Sequence, residues 1–527
     1  MKPTHTLLGL LCTSLDSIRG LLGFDPAKVK VKTLQGRFRA VNAGLKEALS
    51  VKSTIKEAIE AKSPSVEPTE DLTTWAGAIE SIQTGDAPTP APEDVVFMDW
   101  DGTVVKSYSF TQAKTLSALP ALPARDGMTN EGWNYTLAQI KSAANASIKI
   151  VAGCTYRTRD NITRIHVTIP ADSLTFHLNF SQTVSRSNTL SWGDGSGDTP
   201  GSTTAMVREH TYAAPGDYII TLQPLQSTNT LKFSGPVCGD HYADCSKITA
   251  IDFGGVNTVS ARFFTRCMNL KHASVPKGTS MGGRTMDSFS TLEAFVIPAG
   301  MTSLPTQFFQ FAANLKRVSI PPSLTEVGER SFYDCPALTE VCLPAATTTI
   351  RNYAFYGCSG LCEIHGHSVS LVEWNVFGQC GMLSIVDIPC ESYGSACFYL
   401  CKRLIELNPT GVLSSIGTNE NFLQEAVSLQ RVGELHVETI PDKAFYGCVS
   451  LKEVKVSGAC ATIGSASFRN VGCLLFDFTG CTQVPQIQSN TFADIASDAV
   501  FLVPANLYST WRVADVWSGL ANQIKSA

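Results

Sequence analysis

From about residue 245 onward, apolar and polar positions follow a unit that returns every twenty-odd residues. Each unit carries a phenylalanine with a short tail: Phe332-Tyr333-Asp334-Cys335, Phe355-Tyr356-Gly357-Cys358, Phe377-Gly378-Gln379-Cys380, Phe398-Tyr399-Leu400-Cys401 and Phe445-Tyr446-Gly447-Cys448. Degenerate copies extend the series through Phe264, Phe289, Phe309, Phe422, Phe468 and Phe492, so that the anchors are spaced by 25, 20, 23, 23, 22, 21, 24, 23, 23 and 24 residues. A period of this size held over many copies predicts a solenoid.

Within a unit, Leu338, Val341 and Leu343 alternate with Glu340 and Cys342, and Pro344 follows. Alternation by two predicts a short strand with the first set inward and the second outward. Proline ends it, having no amide hydrogen for a ladder. One copy cannot bury both its phenylalanine and its strand. Stacked copies make a continuous core and a long parallel sheet, in which each buried phenylalanine is worth about 3–5 kcal/mol against alanine.

The pattern Ala-Phe-x-x-Cys-x-x-Leu-x-x-Val-x-(Ile/Leu)-Pro resembles the BspA-like leucine-rich repeats of bacterial surface proteins and of some phage proteins. The Phe289 copy is short, and the Phe422 copy has Ala426 where the pattern expects cysteine. The Phe468 copy slips by one residue, with Cys473, Phe476 and Phe478 as its inward set. The resemblance implies a leucine-rich solenoid at 245–504 that works by presenting a surface.

The remainder of the chain changes pattern several times. Leu7, Leu8, Leu11, Leu15, Ile18, Leu21 and Leu22 fall near helical spacing, as do Leu45, Leu49, Ile55 and Ile59, and then Trp75, Ile79 and Ile82. Residues 1–86 are therefore expected to be a helical attachment or oligomerisation segment. The stretch Ile55 to Gly85 resembles the N-terminal segment of phage tail-region proteins. A secretory signal is the competing reading for the start, but its apolar run is short and Asp16 and Arg19 interrupt it. Residues 87–94 are a proline-rich linker.

Residues 95–147 read as a small hairpin-helix module. Asp99-Trp100-Asp101-Gly102-Thr103 matches the nucleophile loop of haloacid-dehalogenase-type phosphatases. It also matches a hairpin turn, since Asp-Gly between strand-like runs favours positive φ at glycine. The fifty residues that follow are too few for a doubly wound phosphatase sheet, so the hairpin reading is preferred. With Glu131-Gly132-Trp133-Asn134-Tyr135, the module resembles one in phage tail and associated surface proteins. Residues 148–236 alternate as a β-sandwich. Their phrases Leu190-Ser191-Trp192-Gly193-Asp194-Gly195 and His210-Thr211-Tyr212 to Tyr218 resemble the PKD-type immunoglobulin-like domain. Asp194 and Asp198 are either calcium ligands or turn caps. Residues 505–527 are expected to form a helical cap over the open solenoid end, with Trp511 and Trp517 covering it.

Composition narrows the functional classes. The net charge is −5 over 527 residues, which provides no basic footprint for nucleic acid. No apolar run reaches membrane-spanning length. Most of the 17 cysteines sit at one repeat offset, as small core residues and not as a disulfide framework or a zinc set.

The fold class expected is multidomain α+β: N-terminal helices, hairpin-helix module, PKD-like β-sandwich, leucine-rich solenoid and C-terminal helical cap. No catalytic residue, metal site or cofactor is expected. The candidate binding face is the row of outward strand positions His272, Arg317, Glu340, Glu363, His365, Asp387, Glu406, Asn408, Arg431, Glu453 and Lys455. Its mixed charge favours a host-surface protein or glycan. The N-terminal helices would contact other tail or virion proteins or form a homo-oligomer such as a trimer. The leading expectation is a phage tail fibre or receptor-binding component of the virion. The alternative is a bacterial cell-surface adhesin.

Overall fold

The structure, a computed structural model, describes residues 93–527 apart from short internal stretches at 183–187, 201–203, 205, 226–230, 234, 255–257, 285, 287–290 and 368. The helical segment expected at 1–86 and nearly all of the linker lie outside the described residues.

The repeats form a β-solenoid with two parallel ladders where one sheet was expected. One ladder runs through three-residue strands such as Arg317–Ser319, Glu340–Cys342, Glu363–His365 and Ile385–Asp387. The second runs through two-residue strands such as Glu326–Val327, Thr349–Ile350 and Leu371–Val372. A tight turn carrying the phenylalanine closes each coil. Phe309, Phe332, Phe355, Phe377 and Phe398 are fully buried and stack with ring centroids 5.2, 5.0, 5.6 and 5.4 Å apart.

Two anchors differ from those expected. In every regular coil the anchor amide donates to the carbonyl just before the next anchor, as Phe332 does to Ala354. By that criterion the anchors are Met286, bonded to Phe308, and Leu423, bonded to Ala444. Both are apolar and buried, and each does the work of a phenylalanine. Ala426 then stands at the regular cysteine offset from Leu423. The displaced Phe422 lies edge-on to Phe398 and Phe445 and interrupts the parallel stack. The longer coil before it accommodates a bulge within Glu406–Leu413, where register shifts between Leu407 and Val412.

The cysteine column has a polar function besides filling space. Each thiol donates to the carbonyl of the preceding anchor: Cys335 to Phe309, Cys358 to Phe332, Cys380 to Phe355 and Cys401 to Phe377, at 3.1, 2.9, 3.1 and 3.0 Å. Cys448 bonds to Leu423 in the same way at 3.2 Å. Buried carbonyls need partners, and a thiol is the smallest side chain that is both apolar enough for the core and able to donate. From the Phe309 anchor to the Phe492 anchor, the second residue after each takes positive φ, as at Phe311, Asp334, Leu400 and Asp494, although glycine occupies it only at Gly357 and Gly447.

The boundary expected at 148 falls inside the first module. Strands β1 (Val95–Met98), β2 (Val104–Tyr108), β3 (Met128–Trp133) and β4 (Ile150–Thr158) form one sheet in the order β2-β1-β4-β3. The stretch Ile150-Val151-Ala152-Gly153 pairs in parallel with β1 and so belongs to the module. Parallel neighbours need a crossover, and α1 (Phe110–Lys114) and α2 (Leu137–Asn145) lie within it. Ser109 and Thr136 cap these helices through capping boxes.

Two antiparallel sheets follow, and they are continuous with the solenoid. Thr163–Ile169 pairs with Ile248–Asp252, and Leu231–Phe233 pairs with Thr258–Val259, so the first coils extend both sheets. Trp192, Tyr212 and Leu222 accordingly share one apolar core with the whole phenylalanine column. At the other end the cap is not a single helix. It comprises a 3-10 turn at Ala505–Leu507, a helix at Tyr508–Val513, a second turn at Trp517–Leu520 and a strand, Ile524–Ser526, that adds to the sheet. Trp511 and Trp517 are buried over Phe478, and Trp517 also packs on Phe492 and Phe501.

Candidate binding face

The three-residue strands place two outward side chains on every coil, at the first and third positions. The eleven candidate residues do share that ladder, but it does not form one open face. The module of residues 93–158 packs on its N-terminal half.

The contact is close-fitting and partly apolar. Met98, Val151, Val296 and Cys342 form a buried cluster between module and ladder. A Cβ at Gly153 would fall 2.6 Å from Val296 and 2.8 Å from Ser319, so only glycine lets the backbones approach this closely. Gly102, at the hairpin turn with φ +89°, meets Ala294 in the same way. Ser319, fully buried, donates to the carbonyl of Val151 at 2.7 Å and accepts from Asn134 at 2.9 Å. Tyr135 donates its hydroxyl to the carbonyl of Ile320 at 3.0 Å.

Charged candidates in this half are held by the module. His272 packs edge-to-face with Trp100, ring centroids 4.1 Å apart, and the Arg125 guanidinium lies over the Trp100 ring, 3.6 Å from its centroid. Burial lowers the pKa of His272 to about 4. Arg317 faces Glu93 at 3.6 Å. Lys149 donates to Glu340 at 2.9 Å and to Glu363 at 3.0 Å. His365, buried, reaches Glu363 at 2.9 Å and Asp387 at 3.4 Å. The hydrogen bond from His365, assisted by Lys149, outweighs burial and holds the Glu363 carboxyl near 2. Burial opposes the charge on Lys149, but the two carboxylates overcome it and push its pKa up.

Glu340, Glu363 and His365 bring three donor atoms within 4.8 Å of one another, a set of the kind that holds zinc. The ammonium of Lys149 already supplies positive charge at both carboxylates, so this cluster acts as a latch between module and solenoid.

The C-terminal half is open. Asp387, Arg431, Glu453 and Lys455 are exposed, and Glu406 and Asn408 are half-buried. Arg431 pairs with Glu406, and Lys455 with Glu434 at 2.7 Å. On the second ladder, Glu420, Thr439, Asp442, Thr462 and Gln486 line a shallow polar groove of about 810 Å³.

Sequence reading placed Ser319 and Cys342 outward, on the face expected to meet an outside partner, and missed both Lys149 and their burial against the module. The available signal was that outward positions 294, 296, 319 and 342 are small or apolar, where a solvated sheet would carry polar residues. Asp99 and Asp101 sit in the hairpin turn. Asp101 accepts from the Thr103 amide at 2.9 Å, and Asp99 accepts from the Trp100 amide at 2.8 Å and the Cys154 thiol at 3.3 Å. Asp194 accepts from Ser196 and His210, and Asp198 pairs with Arg208, so both carboxylates are engaged by neighbouring side chains.

The coil geometry and cysteine column agree with a match to the BspA type leucine rich repeat region, in six copies over residues 237–286, 279–405, 325–433 and 371–498. Residues 237–498 are BspA-type leucine-rich repeats. No curated protein sequence matches the chain. Among solved structures, a leucine-rich repeat protein of T. pallidum is similar at 22% identity over 33% of this chain and 82% of that one, with a TM-score of 0.29. One from Bacteroides ovatus is similar at 18% identity over 60% and 90%, with a TM-score of 0.28. A leucine rich cell surface protein of Faecalibacterium prausnitzii is similar at 18% identity over 54% and 83%, also with a TM-score of 0.28.

Proposed function

We propose that this protein is a surface-displayed, non-enzymatic binding protein of the adhesin type, whose BspA-type repeats contact a protein partner through Asp387, Glu406, Asn408, Arg431, Glu453 and Lys455. The observation that carries this reading is the division of the ladder. Equivalent positions upstream are consumed by the module, whereas here Asp387, Arg431, Glu453 and Lys455 are exposed, Glu406 and Asn408 half-buried, and both charge signs are present. Mixed, partly paired charges suit a complementary protein surface better than a polyanion. The BspA-type family match supports the adhesin reading; the tail-fibre reading is supported by the resemblance of the module and of residues 55–85 to phage tail-region proteins. In this reading the PKD-like stretch, which begins after the module ends at Thr158, serves as a spacer that also seals the first coils.

The test is binding of the full chain to intact epithelial cells and, in parallel, to bacterial cells. A variant carrying Asp387→Lys, Arg431→Glu and Lys455→Glu should lose at least about tenfold in affinity. Attachment to epithelial cells supports an adhesin, and attachment only to bacteria supports a tail fibre. Unchanged binding by the variant places the contact elsewhere.

A further inference from the structure

A second surface carries exposed aromatic rings. On the turn edge of the coils, Phe311, Tyr333, Tyr356, Tyr353 and Trp374 form an unbroken row with successive centroids 5.6, 5.3, 5.5 and 4.8 Å apart. The core does not need them, because the anchor phenylalanines already fill it. Phe311 and Trp374, at the two ends, keep 46% and 44% of their surface exposed. Contiguous exposed apolar surface is uncommon on soluble proteins and marks a contact site. After Trp374 the row stops, since Gly378 takes the place that tyrosine holds in the Phe332, Phe355 and Phe398 copies.

Rigid polar groups flank the Trp374 end. Arg351 is held between Glu326 and Glu373 at 2.7 Å each, and Glu373 also accepts from the Asn352 amide at 3.0 Å. The Asn352 side chain in turn accepts from the Trp374 amide at 3.0 Å. Charge decides among ligands that stack on rings. Arg330 and Arg351 are outnumbered here by Glu326, Glu329, Asp334 and Glu373. Single-stranded nucleic acid needs a basic groove beside its stacking rings, and sulfated or sialylated sugars need the same charge. A neutral sugar needs only apolar ring faces for its C–H groups and fixed donors and acceptors for its hydroxyls.

We propose that the aromatic edge from Phe311 to Trp374, with the Arg351 cluster, is a binding platform for neutral oligosaccharides. It lies on different residues from the protein-binding ladder proposed above, so either can fail without the other.

The experiment uses the full chain with cellohexaose, chitohexaose, laminarihexaose and mannohexaose, read by tryptophan fluorescence and calorimetry. Heparin and oligo-dT serve as anionic comparisons. At least one neutral hexasaccharide should saturate. Trp374→Ala and Phe311→Ala should each weaken it about tenfold or more while circular dichroism stays unchanged, and Arg431→Glu should leave it intact. Absence of saturation with all four sugars overturns the proposal. So does undiminished binding by both aromatic variants, or binding of heparin or oligo-dT in preference to every neutral sugar.

Discussion

Strands Ala294–Val296 through Glu363–His365 and strands Ile385–Asp387 through Glu453–Gly458 present the same two outward positions on each coil. In the first group those positions hold Ala294, Val296, Ser319 and Cys342, with charges paired to a lysine from another module. In the second they hold exposed Asp387, Arg431, Glu453 and Lys455. The second group is longer and bulged at Glu406–Leu413, yet both groups turn alternate side chains outward, so the difference in exposure lies in what those side chains find to pack against. A ladder of small side chains lets a second sheet approach, and β4 comes close enough that Gly153 has no room for a methyl group. A ladder of long charged side chains keeps its own hydration and stays available to an outside partner.

The strongest challenge to this contrast is Val296→Asp. It would bury an unpaired carboxylate among Met98, Val151 and Cys342 and should cost about 3–5 kcal/mol of docking. Peptide-mapped thiol labelling should then find Cys342 exposed, while Cys380 and Cys401 deeper in the coils remain protected. Protected Cys342 in that variant would mean that the module does not depend on this cluster.

Lys149→Met is the next largest. It leaves Glu340 and Glu363 without their ammonium partner and should destabilise docking by about 1–3 kcal/mol. Lys455→Met, on the open half, should have no measurable effect on unfolding, because an exposed pair gains little. Equal losses in urea melts would erase the distinction between the halves.

Acid should also act on the covered half alone. A lifted module returns His272 to its ordinary 6.5, whereas docking holds it near 4. The lifted state therefore takes up a proton between pH 6.5 and about 4 that the docked state refuses, and docking weakens as pH falls through that window. Glu363 acts in the same direction at lower pH. The His365 hydrogen bond, which holds that carboxyl down most, lies within the solenoid and persists when the module lifts; only the further lowering by Lys149 belongs to docking, and that part fades as pH falls below the ordinary 4.5. Asp252, Arg125, His166 and Asp101 surround His272 and set the depth of its shift. Amide exchange at Ser319 should rise as pH drops from 6.5 to 4 after correction for intrinsic rates, and His272→Gln should flatten that rise.

The smallest effect is expected from Arg431→Glu. It should leave the melting curve within about 0.5 kcal/mol of the parent, as surface changes do, yet reduce cell attachment. A large loss of stability would show that the open half is also a structural contact.

Much of this was readable in the residue order. Phe332, Phe355, Phe377 and Phe398 keep their offsets because each coil must fill the same volume, so identity and spacing report the fold directly. Met286 and Leu423 escaped because any apolar side chain of suitable size fills that volume, and a search for phenylalanine passes over them. The second ladder escaped because strands of two residues are too short to show alternation. The end of the module at Thr158 escaped because a parallel pair such as β1–β4 leaves no local turn signal.

The coil is written in the residue order: its period, its buried rings, its cysteine column and its outward positions. These follow from contacts between neighbouring copies, and neighbouring copies repeat. Which outward positions remain available depends on long-range packing, because residues more than a hundred positions apart, such as Lys149 and Glu340, meet through shape and charge that no periodicity records.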